Sequence, residues 1–123
     1  MKINIYRVEG KKVNCLSKYG ELYGNWGSQN EPQKGQYYVE LDCEEVLTND
    51  AISFEENKDY YTKLQSNHVE LHGRIEAIED NMMYFRFGEN IIMLETKGID
   101  TIKYLNSFVK IKIKKLVFID LDL

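Results

Sequence analysis

The chain has 123 residues, of which 43% are apolar and one is proline, values typical of a single globular domain and not of a disordered segment. Its net charge of -4 argues against a protein that must neutralise many phosphates. The start, MKINIYRVEG, lacks the apolar run of a signal peptide and no apolar stretch is long enough to span a bilayer, so we expect a cytoplasmic protein without a membrane partner.

Alternation of apolar and polar residues predicts strands in the first half of the chain. KINIYRV and KKVNCLS flank Glu9 and Gly10 and predict a hairpin. In QYYVELDCEEV (residues 36–46), Val39 and Leu41 share one face and Glu40 and Asp42 the other, which predicts a half-buried strand. Residues 48–66 combine a weak helical stripe with a polar cluster, so both helix and loop stay open.

The middle of the chain predicts a meander of three strands: HVELHGRIEAI, MMYFRF and IIMLE. A three-residue loop at 80–82 sets Ile75 opposite Phe87 and Glu76 opposite Arg86. The residues of IIML are all apolar, so we expect this third strand to be buried on both faces.

The end of the chain predicts a short helix or crossover near 98–106, followed by VKIKIKKLVFIDL as one long strand with a bulge or bend at Lys114 and Lys115. No internal repeat is detectable in the sequence. The fold class expected for residues 1–123 is therefore mainly β: one antiparallel domain, built as a curved sheet, a sandwich or a small barrel, with one short helix or crossover.

Charge is unevenly distributed along the chain. Residues 40–59 are rich in carboxylates, whereas residues 97–115 are rich in lysines. Three interpretations stay open: an internal ladder in which the Glu40 strand pairs with the Lys110–Lys114 strand, an independent acidic patch, and a nucleic-acid surface formed by Lys110, Lys112 and Lys114.

No catalytic or metal-binding signature is present, and we expect no enzyme activity and no cofactor. His68 and His72 would lie roughly 13 Å apart on a strand, too far to share one metal ion. Cys15 and Cys43 have apolar, strand-like surroundings, which favours buried reduced thiols over a single disulfide.

An aromatic, glycine-rich segment, YGELYGNWGSQNEPQKGQYY, occupies residues 19–38. Tyr19, Tyr23 and Trp26 either fold back onto the sheet core or stand on a recognition loop, since Tyr and Trp dominate many interfaces. The second interpretation suits binding better than catalysis.

Three stretches together give the chain a family resemblance: WGSQNEPQKGQYYVELD, GRIEAIEDNMMYFRFGENIIMLE and VKIKIKKLVFIDL. With the small size and acidic character, they resemble the mostly β immunity proteins of bacterial contact-dependent and polymorphic toxin systems. The resemblance implies a non-catalytic protein that binds and neutralises one cognate toxin domain, often a nuclease.

Charge and aromatic clustering, and not the family, suggest which residues bind the partner. A carboxylate-rich surface can occupy the basic cleft of a nuclease. The candidates are Tyr19, Tyr23, Trp26, Glu44, Glu45, Asp50, Glu55, Glu56, Asp59, Tyr60 and Tyr61. The alternative is a single-stranded nucleic-acid-binding domain, similar to an oligonucleotide-binding barrel, that uses the lysine strand and stacking aromatic rings.

Overall fold

The computed structural model describes all 123 residues and is mainly β, as the alternation predicts. Two short 3-10 helices, Asn49–Ala51 and Thr101–Tyr104, interrupt the strands, and the second is the crossover expected near 98–106. Neither helix has the length and apolar character that crossing a bilayer requires. The strands are β1 Lys2–Glu9, β2 Lys12–Ser17, β3 Gly20–Trp26, β4 Gly35–Cys43, β5 Ile52–Phe54, β6 Tyr61–Leu64, β7 Val69–Glu79, β8 Met82–Phe87, β9 Asn90–Glu95, β10 Phe108–Ile113 and β11 Leu116–Asp120.

The strands form a closed barrel and a second sheet. The barrel has the order β1-β2-β3-β11-β4, in which β11 runs parallel to β3 and antiparallel to β4. The second sheet has the order β5-β10-β7-β8-β9, and β6 pairs with the first part of β7. One apolar cluster of 24 buried residues runs through both parts, so they share a core.

The two parts are built on the same plan, although the sequence shows no repeat. In β1–β3, Ile5 pairs with Cys15 beside a bulge, and in β7–β9, Ile75 pairs with Phe85 beside a bulge at the same relative place. Throughout the two meanders, each residue of the first corresponds in strand register to the residue 70 positions later in the second. When residues 2–26 are compared with residues 72–96 in this way, only two pairs are identical, Ile5/Ile75 and Glu9/Glu79. The two meanders share their geometry but almost none of their residues, which explains why the sequence shows no repeat.

The two parts exchange their fifth strands. β11 follows the second meander but pairs with β4 and β3 in the barrel. Residues 47–54 follow β4 but join the second sheet, where Leu47 bridges to Thr96 at the end of β9 and β5 pairs with β10. Each part is therefore completed by a segment that belongs to the other half of the chain.

Two predictions about the second meander are wrong. The β7–β8 turn has two residues, not three, because the bulge after Ile75 absorbs one residue, and Ile75 pairs with Phe85 and not with Phe87. The Glu76–Arg86 contact nevertheless forms, with Oε1 2.7 Å from Nε. The strand β9 is buried on one face only, since Ile91 and Met93 are exposed.

The strand pairing excludes one of the three interpretations of the charge distribution, the internal ladder between the acidic and lysine strands. They do not form a ladder: β4 pairs with β1 and β11, whereas β10 pairs with β5 and β7. The reason is the bend at Lys114 and Lys115, which separates the expected long strand into β10 and β11 and sends them to different sheets.

Gly73 in β7 allows close packing against β8. A Cβ atom there would lie 2.2 Å from the carbonyl oxygen of Arg86 and 2.9 Å from the Phe85 ring. We expect Gly73→Ala to lower the free energy of unfolding by about 3 kcal/mol through overpacking. Gly98→Ala is the control, because it meets no atom within 4 Å and adds only the strain of a positive φ, about 1 kcal/mol. Equal losses in urea unfolding of the two variants would contradict this explanation.

Candidate protein-binding surface

An open groove with acidic edges lies between the end of β4 and the outer face of β8 and β9. Its volume is about 380 Å³. Its apolar part is formed by Val46, Met82 and Met93, and Val46 and Met93 are 49% and 50% exposed. These apolar side chains lie next to one another on the surface and not singly.

Carboxylates surround these apolar side chains. Asp42, Glu44 and Glu95 line the groove, and none of them lies within 4.0 Å of a lysine, arginine or histidine nitrogen. Along β4 the exposed face continues backwards from Asp42 through Glu40 to Tyr38. We call this set the acidic groove: Tyr38, Glu40, Asp42, Glu44, Val46, Met82, Met93 and Glu95.

Glu45 adjoins the groove but has a structural role. Its Oε1 accepts hydrogen bonds from the backbone N–H groups of Lys114 at 2.6 Å and Lys115 at 3.0 Å. These are the two residues at which the chain bends from β10 into β11. A single carboxylate thus stabilises the connection that allows the strand exchange.

We expect Glu45→Ala to lower the free energy of unfolding by about 2 kcal/mol, because two charge-assisted hydrogen bonds are lost together. Glu44→Ala is the matched control, since Glu44 is exposed and makes no ion pair, and its effect should stay within about 0.5 kcal/mol. Chemical denaturation of both variants is the measurement. Indistinguishable midpoints would show that the bend does not depend on Glu45.

Glu55 and Tyr61 belong to a second cluster, formed around the buried His72. The His72 ring is 1% exposed and lies between Glu70 and Glu55, with Nε2 and Nδ1 each 3.0 Å from a carboxylate oxygen. The contact of Nδ1 with Glu55 is poorly aligned, so Nδ1 has no hydrogen-bond partner. Tyr61 stacks on the ring at 3.7 Å.

Glu55 is held in this cluster by its own loop as well. The backbone N–H of Asn57 donates a hydrogen bond to the Glu55 carboxylate. This hydrogen bond is the main cause that holds the pKa of Glu55 below its usual value, and the charge of His72 contributes less. Burial, and then the nearby Glu55 charge, raises the pKa of the Tyr61 hydroxyl. Both residues therefore contribute to the internal structure of the second sheet more than to a free surface.

The remaining candidates of this region differ in exposure. Glu56 and Asp59 are exposed in the loop between β5 and β6. Tyr60 packs on Phe108 and edge-on against Tyr19. The Tyr19 ring also contacts Phe87, and its hydroxyl donates a hydrogen bond to Glu89. The two tyrosines are half-buried and join the two parts of the fold.

Asp50 lies at the 3-10 helix between β4 and β5, beside a small cavity that Val46 of the acidic groove also lines. The Thr48 hydroxyl donates to its carboxylate, and this hydrogen bond is the main cause that keeps the pKa of Asp50 below its usual value. Its side chain is exposed, and the same cavity is lined by His68, Lys112 and Lys114 as well.

Trp26 and Tyr23 lie on a strand and not on a loop, because Gly20–Trp26 forms β3. Trp26 is 3% exposed, packs edge-on against Tyr37 at 4.8 Å, and its Nε1 donates to Asn30. It therefore does not reach an exterior surface. Tyr23 is 36% exposed on the outer face of the barrel, in a different cavity from the acidic groove.

The lysine strand and the two cysteines complete the predicted features. Lys110 pairs across the sheet with His72 and Lys112 with Glu70, so two of the three lysines stand beside the buried histidine cluster. Cys15 and Cys43 are free thiols, as favoured by their surroundings. Burial raises the pKa of Cys15 to about 12 and that of Cys43 to about 11.

Sequence reasoning identified Glu44 but missed most of the groove. Val46, Met82, Met93 and Glu95 become neighbours only because β4 runs beside β9, a contact between distant parts of the chain. One signal was available, since the two-residue period of any strand places Ile91, Met93 and Glu95 on one face. The short apolar run concealed it.

Comparisons with known proteins add no assignment to this geometry. No protein-family model matches the chain, and no curated protein and no solved structure is significantly similar to it.

Proposed function

We propose that this chain is a non-catalytic binding protein that neutralises a cognate toxin domain by covering the toxin's active site. The toxin is a nuclease domain, and neutralisation takes place in the cytoplasm of the cell that makes both proteins. The proposal combines the family resemblance of the sequence with the chemistry of the acidic groove.

The observation that supports it most is a set of unpaired carboxylates around exposed apolar side chains. Asp42, Glu44 and Glu95 have no internal cation, and Val46 and Met93 are half-exposed beside them. A nuclease must present cations to bind phosphates, and unpaired carboxylates complement such a cleft in charge. Methionine side chains adapt their shape readily, which favours tight packing against a partner.

The tyrosine part of the predicted surface is smaller than expected. Tyr19, Tyr60 and Tyr61 are half-buried, so Tyr38 on β4 is the tyrosine that accompanies the acidic groove. The exposed Glu56 and Asp59 form a second candidate contact, and Phe54, two positions before Glu56, is 57% exposed.

The direct test is binding to the product of the gene immediately upstream. We expect a complex whose dissociation constant rises with salt concentration, together with loss of the partner's nuclease activity at equimolar protein. Calorimetry and a nuclease assay measure these two effects. A neighbour with no measurable affinity, or a bound neighbour that remains fully active, contradicts the proposal.

Single-stranded nucleic acid is the alternative ligand, because Lys112 and Lys114 are exposed and unpaired. Titration with oligonucleotides at low salt separates the two functions, since the phosphate contribution to affinity is largest there. Strong oligonucleotide binding together with no affinity for the neighbouring protein would favour the alternative.

A further inference from the structure

A second pocket, separate from the acidic groove, lies where the two halves of the chain meet. Its volume is about 460 Å³. One wall is the outer face of the barrel, where the strand register places Arg7, Asn14 and Tyr23 side by side on β1, β2 and β3. The opposite wall is the turn at residues 64–69 together with the bend at Lys114.

The charge of this pocket is opposite to that of the protein as a whole. Arg7, Lys12 and Lys114 line it, and Glu9 is its one carboxylate, 3.7 Å from Arg7. Lys12 and Lys114 have no carboxylate within 4.0 Å. In a chain of net charge -4, three cations around one concave site create a local field that favours an anion.

The remaining lining supplies a flat ring and neutral hydrogen-bonding groups. Tyr23 is 36% exposed and presents its ring to the pocket. Gln65, Ser66 and Asn67 add polar side chains, and Asn67 fixes His68 by a contact of 2.8 Å to Nδ1. The site thus combines cations for an anionic group with an aromatic surface on which a planar group can stack.

We propose that this pocket binds a nucleoside monophosphate unit, with the phosphate between Arg7, Lys12 and Lys114 and the base against Tyr23. A phosphate matches the cations, and Arg7 can contact two of its oxygens at once. The volume lies within the range of small-molecule sites, about 300–1,000 Å³. The unit is either a free nucleotide or the phosphorylated end of a strand. The inference does not depend on the proposed toxin binding, because the two sites share no residue.

The test is titration with adenosine 5′-monophosphate, adenosine, inorganic phosphate and a 5′-phosphorylated trinucleotide, followed by NMR chemical shifts and calorimetry. We expect the monophosphate to shift resonances of Arg7, Tyr23 and His68, and to bind at least about tenfold more tightly than adenosine or phosphate alone. Lys12→Gln with Lys114→Gln should weaken both the nucleotide and phosphate about tenfold. Lys58→Gln with Lys97→Gln changes the charge equally outside the pocket and should have no effect.

Tyr23→Leu separates stacking from charge attraction. It should weaken the monophosphate about tenfold while leaving inorganic phosphate unchanged. Tighter binding of the trinucleotide than of the monophosphate assigns the site to a strand end, and the reverse assigns it to a free nucleotide. The proposal is overturned if millimolar monophosphate shifts no pocket resonance, if adenosine binds equally well, or if the two lysine pairs have equal effects.

Discussion

Two fragments, residues 1–66 and 67–123, are expected to be unfolded when separate and to regain the native fold when mixed. The cut falls in the turn between β6 and β7, where Ser66 and Asn67 are exposed. The first fragment lacks β11, which closes the barrel, and the second lacks β5 and β6. Each fragment therefore carries an incomplete sheet.

The size of the effect follows from what β11 buries. Leu116, Val117 and Phe118 are at most 2% exposed. Burial of one such side chain contributes about 1.5–3 kcal/mol, so the three together rival the whole stability of a small domain, about 5–15 kcal/mol. A barrel without β11 should not remain folded.

Circular dichroism and amide NMR spectra of each fragment and of the equimolar mixture are the measurements. We expect dispersed spectra in the mixture alone. The intact chain with a protease site inserted after Ser66, analysed before and after cleavage, is the control for the cut itself. Cooperative unfolding of either fragment in isolation would show that the strand exchange is not required for folding.

Neutralising the acidic groove is expected to weaken the complex with the proposed toxin domain about a hundredfold or more. Loss of charge pairs at the centre of an interface costs about 2–5 kcal/mol for each buried pair. The variant replaces three carboxylates by amides of nearly the same shape: Asp42→Asn, Glu44→Gln and Glu95→Gln. Because these groups make no internal ion pair, we expect the free energy of unfolding to change little.

Two matched variants test the location of the contact. One neutralises the exposed candidates elsewhere, Asp50, Glu56 and Asp59, and the other neutralises Glu21, Glu31 and Asp100, which are exposed and do not line the acidic groove. All three variants change the net charge equally, so a nonspecific charge effect would weaken them equally. Calorimetry with the same partner measures the dissociation constant of each variant. If only the variant of Asp50, Glu56 and Asp59 lost affinity, the partner would contact those residues and not the acidic groove.

The strands could be predicted from the sequence, but their partners could not. Alternation located β1, β2, β4, β7 and β8, because a half-buried strand imposes a period of two on its own residues. Pairing depends on contacts between distant residues, such as Phe118 with Trp26 and Leu47 with Thr96. No local pattern records them.

The candidate site was predictable to a similar extent. Exposed carboxylates such as Glu44, Glu56 and Asp59 follow from polarity, but the internal roles of Glu45 and Glu55 depend on the bend at Lys114 and on the buried His72. Trp26 shows the same limit, since its strand position and burial follow from the barrel that closes around it.

The exchanged strands also bear on how the chain emerges from the ribosome. In the barrel, β3 pairs with β11, and most of the chain lies between these two strands. The barrel therefore cannot close until β11 has been synthesised. Pairings of such long range make folding slow. During that interval the nascent chain exposes apolar strand edges, and such edges make an incompletely folded chain prone to aggregation.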